Sequence, residues 1–187
     1  MPIRALRAEE LAEVEKVFST GLDVMRVRIN EGSSFPNLIG RIGAKLRGTP
    51  PPEHNAITLG NTCYFPIALT TPEPAHPLWL RDMGWLMHEL THTWQYQHDG
   101  IRYLFEAIFK SPTYQYAPAG QSQADALKDF CQAGKVFRDF NREQQGDIVR
   151  DYYFFLRQDR DVSAWDAYLK ELHELPARKA RQRAAIR

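Results

Sequence analysis

The sequence is poor in cysteine, and it has neither a surplus of charge of one sign nor a long apolar run. Only two cysteines occur among 187 residues, Cys63 and Cys131. They lie far apart and in no metal-ligand pattern, which argues against a cysteine-based metal site. We expect two free thiols in a reducing cytoplasm, and a single disulfide in an exported protein is the alternative.

The nearly balanced charge limits the classes of partner. The formal net charge is +1 at pH 7, so electrostatics give no reason to expect nucleic acid or an acidic membrane as the main partner. No apolar segment approaches the length that spans a bilayer. Residues 1–18 carry charges throughout and contain no apolar signal core, so we expect no ordinary cleaved signal peptide.

The size and the order of the patterns predict the fold. A chain of this length with 43% apolar residues can bury one core, so we predict a single domain over 1–187, with a basic, disordered tail at about 176–187. A small N-terminal β element precedes packed helices, which predicts an α+β fold. The predicted N-terminal elements are a helix at 7–19, a strand at 23–29 and two short strands around Gly60-Asn61. Two helices are then predicted at about 78–98 and 101–110, followed by an extended piece at 114–116. Three more helices follow: one begins near Gln123, one covers 143–158, and the last runs from about Ser163 to His173.

One of these helices carries the strongest chemical signal in the sequence. It contains His88-Glu89-Leu90-Thr91-His92, the H-E-x-x-H pattern. Residues four apart on a helix lie one above the other, so both imidazoles can bind one ion. Glu89 lies about a sixth to a quarter of a turn away, close enough to contact a metal-bound water without binding the metal. The pattern predicts a zinc site with two histidine ligands.

A polar helix face and an accident of composition are the alternatives to a metal site. Leu86 and Leu90 lie opposite the histidines, with Met87 and Trp94 on one flank. The helix therefore belongs to the core, and its one polar stripe is the histidine stripe. A solvated stripe would more often consist of Lys, Arg and Glu, so these neighbours favour the metal site.

Two imidazoles do not complete a zinc site, and His98 is the first candidate for the third ligand. It has the spacing of the third histidine in H-E-x-x-H-x-x-G-x-x-H. That arrangement needs a glycine at position 95, where this chain has Gln95. It also needs a methionine downstream of the motif, and no methionine follows Met87. We therefore expect His98 to point away from the other two histidines, at a helix end where the dipole favours it.

The better candidate is Glu143, the only glutamate with an aspartate four residues later. On a helix, Glu143 and Asp147 share a face, so one carboxylate can complete the metal shell while the other binds the imidazole N–H of a ligand histidine. An ordinary acidic pair is the alternative. Together with the H-E-x-x-H helix, this pair predicts a His-His-Glu zinc site with an open fourth position.

The two motifs also carry a family resemblance. H-E-x-x-H followed by E-x-x-x-D resembles the gluzincin zinc metallopeptidases. A closer resemblance covers most of the chain, through VFSTGLDVMRVRI, NAITLGNTCYF, MHELTHTWQYQ, the loop at Tyr114–Tyr116 and EQQGDIVRDYY. These segments resemble the bacterial Vgr-related, type VI secretion-associated metallopeptidases. Members of that family commonly carry alanine in place of Gly146, and we expect this small-for-small change to leave the ligands unaffected.

The resemblance implies a zincin-like domain with bound Zn²⁺ and hydrolase activity. It further implies an antibacterial effector or toxin that is cytoplasmic in the producing bacterium until a secretion system delivers it. A secretion spike and an immunity protein are the partners that follow from this, besides a peptide or protein substrate. The resemblance does not identify that substrate.

In this hypothesis Glu89 is the general base for a zinc-activated water. The strand at 57–59 would pair with an extended peptide. The oxyanion needs a donor besides zinc, for which Tyr114, Tyr116 and Tyr153 are candidates, although aromatic packing is the more common role for any one of them. Two other functions stay open: an amidase or peptidase acting on cell-wall stem peptides, and a non-catalytic zinc-containing binding module of a secretion apparatus. The intact Glu89 argues against the latter, since a binding module needs no general base.

Overall fold

Helices dominate the part of the chain that the structure describes. The computed structural model describes residues 3–35, 55–100 and 115–173. These ranges contain five α-helices and three short strands, which confirms the predicted α+β class. In chain order the elements are α1 (Ala8–Phe18), β1 (Arg28–Asn30), β2 (Ile57–Leu59), β3 (Thr62–Tyr64), α2 (Trp79–Asp99), α3 (Gln123–Gln132), α4 (Arg142–Arg157) and α5 (Asp166–Leu172). None of these helices is both long enough and apolar enough to cross a bilayer.

The three strands form one small mixed sheet in the order β1-β3-β2. β2 and β3 are antiparallel and β1 is parallel to β3. The predicted hairpin turn is confirmed at Gly60-Asn61, where Gly60 has a φ of 63° that favours glycine. Cys63 of β3 is buried, Cys131 of α3 is exposed, and both are free thiols as expected.

The strand predicted over 23–29 is wrong in its first half. Val24–Arg26 forms a 3-10 turn instead, and the Met25 side chain in it is 80% exposed. Only Val27 and Ile29 are fully buried in this segment. The apolar alternation therefore reflects two core positions at the end of the segment, and the regular strand covers only β1.

Some predictions fall outside the described residues. These are the helix at about 101–110, residue Tyr114 and the basic tail at about 176–187. Of the predicted extended piece, Gln115 and Tyr116 are described and belong to no strand. The other predicted helices agree with α1, α2, α3, α4 and α5 to within a few residues.

The antiparallel pair of α2 and α4 forms the frame of the candidate site. Near the start of α2, Gly84 faces the ring of Phe154 near the end of α4, and a side chain at position 84 would overlap that ring. At the opposite end, the Asp99 Oδ2 and Arg142 Nη1 atoms are 2.6 Å apart. Because Gly84 has no side chain, the two helices approach closely where it meets Phe154. Residues in the middle of each helix therefore face the other helix.

Ion pairs from Arg4, which precedes α1, connect Glu10 of α1 with Glu31, the residue after β1. Arg4 Nη1 lies 2.7 Å from Glu10 Oε2, and Arg4 Nη2 lies 2.9 Å from Glu31 Oε1. Burial alone would raise the pKa of both carboxyl groups, but hydrogen bonds to Arg4 outweigh burial and lower the pKa of each. Because the charges are paired, this cluster is a satisfied structural network.

Candidate metal centre

Three candidate ligand atoms converge between α2 and α4. His88 Nε2 lies 3.2 Å from His92 Nε2 and 3.3 Å from Glu143 Oε2, and His92 Nε2 lies 3.6 Å from Glu143 Oε1. One ligand atom from each residue falls within 4.8 Å of the others. A tetrahedral zinc with bonds of about 2.0–2.2 Å separates its ligand atoms by roughly 3.3–3.6 Å. The observed spacing therefore fits one tetrahedral ion.

Asp147 binds the second nitrogen of His88. Its Oδ1 lies 3.0 Å from His88 Nδ1, and the same oxygen accepts a hydrogen bond from Arg150 Nη1 at 2.6 Å. The carboxylate thus occupies Nδ1 and leaves Nε2 to face Glu143. Burial lowers the pKa of His88, but hydrogen bonds to Asp147 and Glu143 outweigh it and raise that pKa to about 10. A metal would therefore have to displace a proton from this imidazole.

Glu143 owes its position to the start of α4. The Asn141 side chain accepts a hydrogen bond from the Gln144 main-chain nitrogen at 2.9 Å, and the Gln144 side chain accepts one from the Asn141 nitrogen at 3.2 Å. This capping box fixes the first turn, in which Glu143 also benefits from the helix dipole. Burial would raise the pKa of Glu143, but His92 and His88 outweigh burial and hold that pKa well below its usual range.

Gln95 holds the second nitrogen of His92, a role that the sequence did not suggest. The Gln95 Oε1 atom lies 2.9 Å from His92 Nδ1. From the sequence, Gln95 indicated only that the glycine needed for a third histidine ligand at position 98 is absent. A signal was nevertheless available, because a residue three positions after a histidine lies on the same helix face. Both candidate ligands are therefore hydrogen-bonded at Nδ1 and face each other through Nε2.

Glu89 points from α2 towards the sheet. Its Oε2 atom accepts a hydrogen bond from the Thr58 hydroxyl of β2 at 2.7 Å, and the Glu89 side chain is only 5% exposed. Among the described residues, the group of ligand atoms does not include Glu89. Thr58 was not identified from the sequence, because a contact between a strand and a distant helix has no local pattern.

The candidate tyrosines lie differently from what the oxyanion hypothesis requires. The Tyr153 hydroxyl donates to Glu13 Oε2 of α1 at 2.9 Å, and its ring packs near Trp79 at the start of α2. Nine residues of helix, roughly 13 Å, separate position 79 from His88. Tyr153 is therefore a core residue that the structure does not bring to the site, because its buried hydroxyl needs the carboxylate of α1 as a partner.

Tyr116 lies at the periphery of the site. Its hydroxyl donates to Asp151 Oδ2 at 2.9 Å, and Arg150 links Asp151 to Asp147, with 3.0 Å between Arg150 Nη2 and Asp151 Oδ1. Burial raises the pKa of Tyr116, and the charge of Asp151 raises it further. Tyr116 thus supports the carboxylate that binds His88, and its hydroxyl proton is committed to Asp151. Tyr114 lies outside the described residues.

His98 lies apart from the ligand group, as expected. Its Nδ1 atom is 2.9 Å from the Trp94 carbonyl oxygen, and its ring stacks on the Trp94 indole with centroids 4.2 Å apart. Among the described residues, the clustered metal-binding groups are His88, His92 and Glu143, without His98. The continuous helix directs the His98 side chain away from the other two histidines.

Gly146 lets α4 approach the ring of His88. A Cβ atom at this position would lie 2.7 Å from the His88 Cε1 and Nδ1 atoms. The expectation that alanine is neutral here is not supported, because either the ring or the helix has to shift. We predict that Gly146→Ala will lower zinc affinity several-fold by tilting the imidazole, and competition with a chelator will measure this change.

Gly84→Ala is the matched control for that prediction. It strains the same helix pair, but its new methyl group meets the Phe154 ring and not a ligand. We expect this variant to lose thermal stability with a smaller change in zinc affinity. Equal zinc affinities in the Gly146 variant and in the wild type would contradict the positional role of this contact.

Comparison with known proteins relates part of the chain to a secretion-system component. Over 97 residues, or 52% of this chain, the sequence is 35% identical to the type VI secretion system spike protein VgrG2b of Pseudomonas aeruginosa PAO1. The matched region spans 9% of that protein. No protein-family model and no solved structure matches the chain. About half of the chain is therefore similar to a small part of a type VI secretion spike protein.

Proposed function

We propose that this protein is a zinc-dependent hydrolase, and specifically a metallopeptidase, whose metal is held by His88, His92 and Glu143. The observation that carries the proposal is the convergence of their ligand atoms within 4.8 Å. The two imidazoles are each 8% exposed, which does not fit a solvated polar face. Each is also hydrogen-bonded at its second nitrogen, as metal-ligating histidines usually are.

Glu89 is the proposed general base. When bound, zinc supplies a Lewis acid that polarises a carbonyl oxygen and lowers the pKa of a water towards 7. Glu89 accepts a proton from the attacking water and later passes it to the leaving nitrogen. Thr58 holds one oxygen of this carboxylate at 2.7 Å, which restricts the rotation of the proposed base.

The position of β2 supports an extended peptide as substrate. β2 lies at one edge of the described sheet, and Thr58 in its middle contacts Glu89. A peptide that pairs with Ile57–Leu59 would therefore run beside the proposed base. The stem peptide of the cell wall is an alternative substrate for the same chemistry.

A binding module without turnover is the rival from another class. The buried side chain of Glu89 argues against it, because burying a polar group costs free energy and a purely structural metal site gains nothing from a carboxyl group that is not a ligand. In such a module the metal would be held by the same three side chains, those of His88, His92 and Glu143. Metal binding therefore does not distinguish the two functions, and a measurement of substrate turnover does.

Metal analysis followed by digestion of a broad peptide library and of cell-wall fragments tests the proposal. We expect about one zinc per chain, as a single site requires, and cleavage that a chelator abolishes. Zinc without cleavage of either substrate favours the binding module. A protein that retains no zinc after reconstitution contradicts the proposal.

The similarity to a spike protein supports an association with a type VI secretion spike. We further propose that the secretion system delivers this protein and that an immunity protein is a second partner. We predict that directing this chain to the periplasm of a susceptible bacterium is toxic and that the Glu89→Gln variant is harmless there. Colony counts at matched expression levels will measure the difference. Toxicity that persists in the variant would indicate a binding role.

A further inference from the structure

Gln95 connects His92 to α4 through a series of buried amides. The Gln95 Oε1 atom lies 2.9 Å from His92 Nδ1, and its Nε2 lies 3.0 Å from both the Arg142 carbonyl oxygen and Gln145 Oε1. Gln145 Nε2 in turn lies 2.8 Å from the Phe140 carbonyl oxygen. Gln95 is 0% exposed and Gln145 is 1% exposed, so each amide depends on these partners.

The main-chain ends of this series fix the direction of every hydrogen bond in it. The carbonyl oxygens of Arg142 and Phe140 can only accept. Gln145 must therefore present its nitrogen to Phe140 and its oxygen to Gln95. Gln95 presents its nitrogen to α4, which leaves its oxygen for the imidazole. Since that oxygen can only accept, His92 donates from Nδ1.

The protonated Nδ1 determines which atom of His92 is available to a metal. A neutral imidazole that carries its proton on Nδ1 has its lone pair on Nε2. That is the atom that faces His88 and Glu143. Rotating the ring would break the bond to Gln95 and leave its buried oxygen without a donor, which is costly.

We infer that Gln95 is a positioning residue that sets the tautomer and the ring orientation of His92 and thereby raises the metal affinity of the centre. The inference rests on the proposed zinc site. It differs from the role of Asp147, which holds His88 with a charged acceptor, because Gln95 holds His92 with a neutral one. The acceptor oxygen of Gln95 acts on the ligand, and its amide nitrogen only holds that oxygen in place.

Two variants separate the acceptor from the bridge to α4. Gln95→Leu removes all three hydrogen bonds, whereas Gln95→Glu keeps an oxygen for His92 and loses the donors to α4. We expect zinc affinity, measured by chelator competition, to fall about 10–100-fold in the leucine variant and to stay within a few-fold of wild type in the glutamate variant. Equal losses in both variants would overturn the inference, because a purely structural bridge is broken in both.

Gln145→Leu is the matched control. It breaks the same amide pair but leaves Gln95 bonded to the Arg142 carbonyl and to His92. We expect a loss of thermal stability comparable to that of Gln95→Leu, with a smaller change in zinc affinity. If the leucine variant at position 95 does not fold, the glutamate variant decides, and a loss of affinity greater than tenfold in it overturns the inference.

A metal-free measurement separates this inference from the proposed function. In nitrogen-15 NMR spectra, the Nδ1 proton of His92 should be protected from exchange in the wild type and in Gln95→Glu, and lost to exchange in Gln95→Leu. An unchanged His92 signal in the leucine variant would overturn the inference. Failure of the wild type to retain zinc would instead overturn the proposed zinc site, and the spectra would still decide the role of Gln95.

Discussion

Replacing Glu143 by alanine should remove most of the zinc from the protein, and hydrolysis should be lost with it. The variant keeps only two imidazoles, and waters are weaker ligands than a carboxylate of lowered pKa. The thermal unfolding midpoint of the wild type should rise when zinc is added, because metal binds the folded state, and this rise should be absent in the variant. Zinc retained after dialysis against a weak chelator measures the effect.

Two further variants test whether the loss is specific to a ligand. Asp147→Asn should lower affinity or activity by about 10–100-fold, because it disturbs the orientation of His88 without removing a ligand. His98→Ala should leave metal binding intact, since that side chain bonds to the Trp94 carbonyl and stacks on its indole. If the His98 variant loses zinc and the Glu143 variant keeps it, the proposed ligand set is wrong.

The elements that frame the site were predictable because each has a local pattern. The apolar positions around the histidines predict α2, and the Gly60-Asn61 turn predicts the β2–β3 hairpin. The pairing of α2 with α4 followed from chemistry, because two histidines require a third ligand and Glu143 with Asp147 offered one. The structure brings these side chains together at 3.0–3.6 Å.

The contacts that hold the site in place were not predictable in the same way. Thr58 and Glu89 lie on elements that are far apart in sequence, and no periodicity links them. The tyrosine hypothesis failed at Tyr153 for the same reason, since a sequence does not reveal which buried carboxylate a hydroxyl will bind. At Gly146 the sequence suggested that alanine would be neutral, and the structure shows otherwise. The cost of a side chain there depends on how closely the His88 ring approaches α4, which the sequence does not reveal. Local patterns thus specify the ligands, and tertiary packing specifies their orientation.

Replacing Glu89 by glutamine tests the proposed chemistry without changing the shape of the site. The glutamine keeps an oxygen that can accept the hydrogen bond from Thr58, which lies 2.7 Å from the native carboxylate. It cannot accept a proton from water at neutral pH. We therefore expect hydrolysis to fall by about 10²- to 10⁴-fold, which is the usual contribution of general acid–base catalysis.

Zinc content and thermal stability should meanwhile stay near those of the wild type, because Glu89 is not among the clustered ligand atoms. The two measurements distinguish the ways in which the hypothesis can fail. Full activity in the glutamine variant would show that another group, or none, takes the proton. Loss of zinc together with activity would show that Glu89 acts on the metal site itself. Loss of activity with zinc retained is the result that a general base held by Thr58 requires.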